Sequence, residues 1–285
     1  LRLLAVAVGF LTRVPVPRMA IGPDDLRRAS AFFPLVGLGV AGAGVAARAA
    51  VAPLWGTAVA TIVAIVAMVV VTGAFHEDGL ADTADGLWGG WSPADRLAIM
   101  RDSRIGTYGT IALIAAFGLR ASLLLPLDLA DFARAVACGH VLGRASTLLL
   151  ARLLPAAGCP PGAGQRPQPA AEVRMETAAA EDAAPTGRSR SAGEARPRLG
   201  ASVVGSLGAW GIAGAGVVVL ATVGVAARVW APVPLAAGVL VCLGCARLFR
   251  RRLGGISGDA LGAANQLVEL AAMAAVVALV RAGLL

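Results

Sequence analysis

Residues 57–75 read TAVATIVAIVAMVVVTGAF, without one charged side chain, and residues 76–86 immediately behind them read HEDGLADTADG. An apolar run of that length suits a helix crossing a bilayer, whereas the acidic run after it is too costly to leave in lipid without partners. Six further stretches have the first character: Ala31–Ala52, Thr107–Leu127, Ala133–Leu154, Ala201–Ala226, Val233–Phe249 and Ala260–Ala282. The predicted fold is therefore all-α, a polytopic transmembrane helix bundle of about seven membrane-spanning helices. Residues 1–285 form a single integral membrane domain in this reading. Composition agrees, with 58% hydrophobic and 15% charged residues and a mean hydropathy of +0.76. Soluble chains run at roughly 45–50% apolar and about 25% charged. An ordinary soluble enzyme and a disordered chain are excluded, and 4 cysteines in 285 residues are too few for a disulfide scaffold. Continuous rather than alternating apolar runs argue against a transmembrane β-barrel.

All 25 basic residues are arginine and the formal charge is +8. Sparse aromatics and the absence of a mixed basic–aromatic stretch argue against nucleic acid as a partner. The arginines instead mark every second connection. Arg13, Arg18, Arg27 and Arg28 precede the first span; Arg96, Arg101 and Arg104, six arginines between Pro155 and Gly200, and Arg250–Arg252 follow on the same side. The intervening turns 53–56, 128–132 and 227–232 carry Arg228 alone. Arginine retained on the cytoplasmic side places the N-terminal region inside and the C-terminus outside. Leu1–Leu11 reads as an interfacial helix rather than a cleaved signal, and Leu1 in place of a start methionine suggests that the native N-terminus lies upstream. The stretch 155–200, rich in Pro, Ala, Glu and Arg, is expected to be a disordered cytoplasmic loop. Cys242 and Cys245 have CxxC spacing inside an apolar run with no second pair, which favours packing over metal or redox chemistry.

The chemistry concentrates after the second span. On a helix, Asp78, Asp82 and Asp85 stand at i, i+4 and i+7, within about 60° of arc and about 10 Å of rise. Such like charges repel and call for a cation, and carboxylates favour Mg²⁺ or Mn²⁺ over zinc. Glu77 alone reads as part of a solvated acidic surface. Aspartates beside Asp102, Arg101 and Arg104 are the composition of phosphoryl transfer, in which metals and arginine forks neutralise phosphate oxygens. His140 and Arg144, at i and i+4, lie within a span beside Ser146 and Thr147, where a charge marks a functional site unless it snorkels. Residues 250–259, RRRLGGISGD, lead into a helix carrying Asn265, Gln266 and Glu269. Its glycines and helix N-terminus suit an anionic phosphate, with Asp259 explained alternatively as an N-cap; Glu269, two turns into an apolar helix, has no such bland account.

At these residues the chain resembles the cobalamin synthase family, the adenosylcobinamide-GDP ribazoletransferases. The resemblance rests on Thr72–Gly109, TGAFHEDGLADTADGLWGGWSPADRLAIMRDSRIGTYG. FLTRVPVP and FFPLVGL near the N-terminus, GRAS at 143–146 and RRLGGISGDALGAANQLVEL near the C-terminus support it. Ser257 stands where threonine is commoner in that family, keeping the hydroxyl. The resemblance implies Mg²⁺-assisted joining of α-ribazole, or its 5′-phosphate, to adenosylcobinamide-GDP with release of GMP, the last joining step of cobalamin assembly, in the cell (inner) membrane. On that basis Asp78, Asp82, Asp85 and Asp102 are the expected metal ligands. Arg101, Arg104 and Arg144 are expected at phosphate oxygens, with Ser257, Asp259 and Glu269 completing the substrate site. Asp85 is the first candidate for general base, His76 the second, and Asp82 is expected to be indispensable. Membrane lipid and a homo-oligomer are compatible partners. Asp82–Gly86 also fits the DxxDG opening of CDP-alcohol phosphotransferases, but the later elements of that family are missing at the proper spacing. A cation- or proton-coupled transporter is disfavoured because the acids lie at the end of a span rather than at the bilayer midplane.

Overall fold

A computed structural model describes residues 1–17, 19–22, 24–158 and 208–285. Its described part is helical: α1 (Arg2–Leu11), α2 (Asp25–Ala29), α3 (Phe33–Thr72), α4 (Phe75–Gly89), α5 (Pro93–Ile99), α6 (Thr107–Leu124), α7 (Leu129–Leu153), α8 (Ala209–Ala227), α9 (Pro232–Leu253) and α10 (Gly258–Arg281). Among the described residues five helices are long and apolar enough to cross a membrane: the segment Asp25–Thr72 containing α3, then α6, the segment Ala209–Trp230 containing α8, α9 and α10. Most of the loop expected at 155–200, the start of the span expected from Ala201, and Cys159 lie outside the described residues.

α3 is nominally 40 residues long but breaks at Gly56, whose φ of 78° and ψ of 168° are not helical; Pro53 lies one turn earlier. A straight helix would hold Gly44 and Met68 about 36 Å apart. Instead a Cβ on Gly44 would lie 2.6 Å from the Met68 sulfur. The element is therefore a hairpin whose arms correspond to the expected spans 31–52 and 57–75, and Gly44 is glycine because the second arm passes so close. α7 coincides with the expected fourth span. It carries Asp131, Arg134, His140, Arg144 and Arg152, more charge than a lipid-facing helix tolerates, and its core-facing residues Phe132, Ala135, Val136, His140 and Arg144 are buried.

The polarity runs opposite to that of a soluble protein. Val59, Ile62, Val66, Ile111, Ile114, Val217, Leu220 and Leu240 face outward, while Arg48, Arg120, Arg144, His140, Asn265, Gln266 and Glu269 are buried. Outward apolar rows suit hydrocarbon, and buried polar groups need partners, which neighbouring segments supply to Arg48, Arg120, Arg144, His140, Gln266 and Glu269 but, among the described residues, not to the Asn265 amide. α10 is the axis. It packs against α7, α4, α9 and α6, and 67% of its most apolar stretch is buried, against 22% for α6 and 33% for α9.

Helix ends on the arginine-rich side are knitted together. Ile256 N–H donates to the Pro155 carbonyl at 2.8 Å and Ala157 N–H to that of Ile256 at 2.9 Å. Arg96 donates to the Arg252 carbonyl and Arg250 to that of Leu153. A side chain on Gly255 would lie 2.5 Å from the Pro155 carbonyl, so this glycine serves a backbone pairing. At the opposite end, buried Arg48 donates to the carbonyls of Leu127 and Asp128, holding the α6–α7 turn against the first arm of α3.

α1 forms as expected and packs with α2 on the start of α3 through Val6, Leu11, Leu26, Phe33 and Val36. Its Phe10 stacks on Phe33 with centroids 5.7 Å apart and meets Phe75 edge-on at 5.4 Å. The next residues fasten the turn between α3 and α4. Arg13 N–H donates to the Val71 carbonyl at 2.8 Å, and the Arg13 side chain lies over Gly73 where a Cβ would otherwise sit. Gly73 (φ 65°) and Ala74 (φ 58°) are both left-handed. This double reversal releases α4 from the line of α3 and directs it back into the bundle.

Candidate active site

α4 runs antiparallel to α10 and α6, starting deep and ending at the surface. Glu77 meets Gln266 and Arg120 at the deep end. Gly79 meets the backbone of Asp259 and Gly262 midway, and Asp85 meets Gly106 and Gly109 at the shallow end. The expected aspartate stripe is present, but its members have different surroundings. Asp78 is exposed, Asp82 half-buried and Asp85 buried.

Asp78, Asp82 and Asp259 form the outer group. Their charges act on one another, and no side chain or backbone donor among the described residues pairs with any of the three. Partial burial, then repulsion from Asp78, Asp259 and Asp85, pushes the Asp82 carboxyl up to about 7. Arg101 is exposed and close enough to act on Asp259. Ser257, whose hydroxyl accepts the Ala260 N–H at 3.1 Å, is the N-cap of α10. The N-cap explanation of Asp259 is thereby corrected: Asp259 sits in the first turn with its carboxylate free for another use.

Asp85 is engaged differently. One carboxylate oxygen accepts the Gly106 N–H at 2.7 Å and the other the Gly109 N–H at 2.9 Å. It thus caps the N-terminus of α6, a favourable place for an anion. A Cβ on Gly109 would lie 2.5 Å from that carboxylate, and one on Gly106 would collide with it too. Asp102 lies beyond, paired with Arg104 at 2.6 Å, and the Arg104 hydrogen bonds hold its carboxyl down at about 2. Asp85, Asp102, Arg104, Gly106 and Tyr108 line an open cleft of about 270 Å³.

The inner group lies deeper, since Glu269 follows Asp259 by ten residues, about 15 Å along α10. Arg120 donates to Glu269 at 2.9 Å and to Gln266 at 2.5 Å. Gln266 donates to Glu77 at 3.0 Å. Arg144 donates to Glu269 at 2.8 Å, and His140 Nδ1 lies 2.8 Å from the same carboxylate oxygen. Two arginines balance two glutamates, so the network is neutral when His140 is neutral. Arg144 is therefore a buried network member and does not snorkel. The solvated reading of Glu77 is also overturned: it is buried and faces Arg120. His76 feels Arg144, Glu269 and His140 rather than the outer carboxylates, so it belongs to this inner group. Arg120 was not singled out from the sequence; a lone charge inside an otherwise apolar span was the available signal.

The donor set of the outer group suits a hard divalent cation: carboxylate oxygens, no thiolate, and repulsion that Arg101 offsets only at Asp259. Among the described residues, however, no three His, Cys, Asp or Glu side chains are gathered closely enough to ligate one ion together. Gly79 sets the α4–α10 approach, because a Cβ there would stand 2.8 Å from the Asp259 carbonyl. Gly79→Ala is expected to push α4 outward at a cost of about 1–3 kcal/mol. A lowered melting temperature in detergent checks it; an unchanged one contradicts the contact.

A multi-pass helical membrane protein with a group of carboxylates at one end of its bundle is the class that fold and geometry define. A sequence profile described as cobalamin-5-phosphate synthase matches residues 3–277, and the chain belongs to that family. It is 37% identical over 276 residues to an adenosylcobinamide-GDP ribazoletransferase of Leptothrix cholodnii, covering 95% of this chain and 93% of that one. The corresponding figures for the protein of that name from Ralstonia nicotianae are 40% over 275 residues, 94% and 92%. For that from Azorhizobium caulinodans they are 36% over 277 residues, 94% and 92%. No solved structure matches.

Proposed function

We propose that the protein joins α-ribazole, or α-ribazole 5′-phosphate, to adenosylcobinamide-GDP. It works as a seven-crossing protein of the plasma membrane with its site facing the cytoplasm. Family membership and the names of the relatives support the substrates. The hairpin in α3 and the charged α7 support the count of crossings, and the one-sided arginines support the orientation. The observation that carries the reading is the outer group: Asp78, Asp82 and Asp259, mutually repelling and without a hydrogen-bond partner among the described residues, with Arg101 acting on Asp259.

In the reaction a ribose hydroxyl oxygen of the ribazole bonds to the cobinamide-side phosphorus, and the bond from that phosphorus to the bridging oxygen of GMP breaks. The bridging electron pair leaves with GMP. Mg²⁺, when bound, neutralises diphosphate oxygens and stabilises charge on that leaving oxygen. At most two of Asp78, Asp82 and Asp259 would hold it together in this arrangement, since no three carboxylates among the described residues are gathered closely enough to share one ion. Arg101 and Arg104, both exposed beside the carboxylates, would bind the remaining phosphate oxygens. Asp85 spends a lone pair of each oxygen on a backbone N–H, so the hydroxyl proton goes more readily to Asp82. A general base contributes typically about 10²–10⁴ in rate.

The Asp82 carboxyl also sets a pH dependence. With a folded-state value of about 7 against an ordinary 3.8, it is protonated below neutrality and competes there with the cation. The concentration of Mg²⁺ giving half-maximal turnover is therefore expected to fall as pH rises from 6 to 8. The sign reverses for stability without metal: a raised carboxyl stabilises the fold on the acid side, and that contribution is lost as pH rises through about 7. In EDTA the melting temperature should be higher at pH 6 than at pH 8. Equal melting temperatures, and a Mg²⁺ requirement that does not change with pH, would remove Asp82 from the cation site. Turnover of adenosylcobinamide-GDP with α-ribazole by the purified protein, followed as GMP, tests the function itself.

A further inference from the structure

α4 carries five of the acids and histidines at issue, and it is packed against α10, α6 and α5 with Leu80 and Leu87 in the core. It leaves α3 through two left-handed residues, Gly73 and Ala74. Its faces toward α10 and α5 are smooth, because Gly79 lies on the Asp259–Gly262 backbone and Gly86 on Met100 and the Arg96 carbonyl. Apolar packing is not directional, so hydrogen bonds and ion pairs add what Leu80, Leu87 and the glycine contacts do not supply to its register. It makes such bonds at its two ends. At the deep end buried Glu77 accepts from Gln266 at 3.0 Å and faces Arg120 at 3.7 Å. At the shallow end Asp85 accepts two backbone N–H groups from the start of α6, at 2.7 and 2.9 Å. Asp78 and Asp82, between the two, make no such bond.

We propose that the acids of α4 are divided in labour: Glu77 and Asp85 are positioning residues that pin the helix at its ends, and Asp78 and Asp82 are the pair presented to the reaction. The division rests on the reading of the outer group as the cation site, which it deepens by removing Asp85 from the set of ligands and bases. Arg120 and Gln266 are the fixed points on the neighbouring helices for one pin, and Gly106 and Gly109 for the other. Glycine at 106 and 109 follows from the same bond, since the carboxylate occupies the space a Cβ would take.

Hydrogen–deuterium exchange of the full chain in detergent separates the two kinds of acid without reference to activity. Asp85→Ala is expected to accelerate exchange over residues 75–89 and 106–110, and Glu77→Gln over 75–80. Asp78→Asn and Asp82→Asn should exchange like the parent protein, although they lose turnover. A second readout is the Mg²⁺ requirement. Asp85→Asn and Glu77→Gln should raise half-saturating Mg²⁺ on the order of 10-fold or more while turnover recovers at saturating Mg²⁺, as for groups that orient ligands. Asp82→Asn should not recover. Unaltered exchange at 106–110 in Asp85→Ala, or a loss in Asp85→Asn that no Mg²⁺ concentration restores, would overturn the division and return Asp85 to the chemistry. If Asp85→Ala does not accumulate in membranes, Asp85→Asn is measured instead; it keeps one acceptor, so exchange should rise at one of Gly106 and Gly109, and no rise at either overturns the pin. The exchange result stands even if the parent protein turns over some other substrate, so failure of the proposed reaction and failure of the division are distinguishable.

Discussion

Asp82→Asn is expected to reduce GMP release by about 10³-fold or more, the scale of losing a group that stabilises developing charge directly. The protein nonetheless inserts and folds. Asp82 has no bonding partner to lose, and it is repelled by Asp78, Asp259 and Asp85, so a neutral amide relieves repulsion. In EDTA the variant should melt at or above the parent temperature, and added Mg²⁺ should raise its melting temperature less than it raises the parent's. That opposition of activity and stability is expected where a site is held ready for a cation. A variant that releases GMP at near-parent rates under saturating Mg²⁺ would strike Asp82 from the chemistry.

Glu269→Ala has the largest expected effect on the fold. Its carboxylate is fully buried and receives Arg120 at 2.9 Å, Arg144 at 2.8 Å and His140 at 2.8 Å. Deleting it leaves two guanidinium groups buried with half their anionic partners gone, a defect that costs about 3–5 kcal/mol. Thermal unfolding in detergent should show a drop of many degrees. Glu269→Gln, which keeps oxygen and nitrogen in place but removes the charge, should fall between. Since Glu269 lies about 15 Å along α10 from Asp259, the residual turnover of folded Glu269→Gln should show a near-normal Mg²⁺ requirement. An alanine variant that melts like the parent would mean the network contributes nothing to stability.

These two residues also show what a reader of the sequence can and cannot reach. The apolar runs locate the helices well, because bilayer thickness imposes one length on every crossing. The hairpin at Gly56 follows from Pro53 and a short turn between two such runs. The aspartate stripe follows from i, i+4, i+7 spacing alone, and α4 does form over it. The partners of those aspartates are long-range: Asp85 is 21 residues from Gly106, and Glu77 is 189 residues from Gln266. No periodicity encodes such pairings. Nor does hydropathy reveal which side of an apolar helix meets protein and which meets lipid. Glu77 therefore reads as surface and Arg120 passes unnoticed until α4, α6 and α10 are placed together. His140, Arg144 and Glu269 were legible as buried charges, since each interrupts an apolar stretch, but their mutual pairing was not. Asp259 reads equally well as a cap or a ligand, and the Ser257 hydroxyl on Ala260 N–H removes the cap.

The role proposed for the carboxylates at one end of the bundle is to hold a divalent cation for exchange of a nucleotide linkage. Its most direct measurement is GMP release by detergent-solubilised protein given GDP-cobinamide and α-ribazole, with Mg²⁺ and then with EDTA. The account predicts stoichiometric GMP and nucleotide-joined cobinamide with Mg²⁺, and loss of both in EDTA with recovery on adding Mg²⁺ back. Undiminished GMP release in EDTA, or none under any metal, would contradict it.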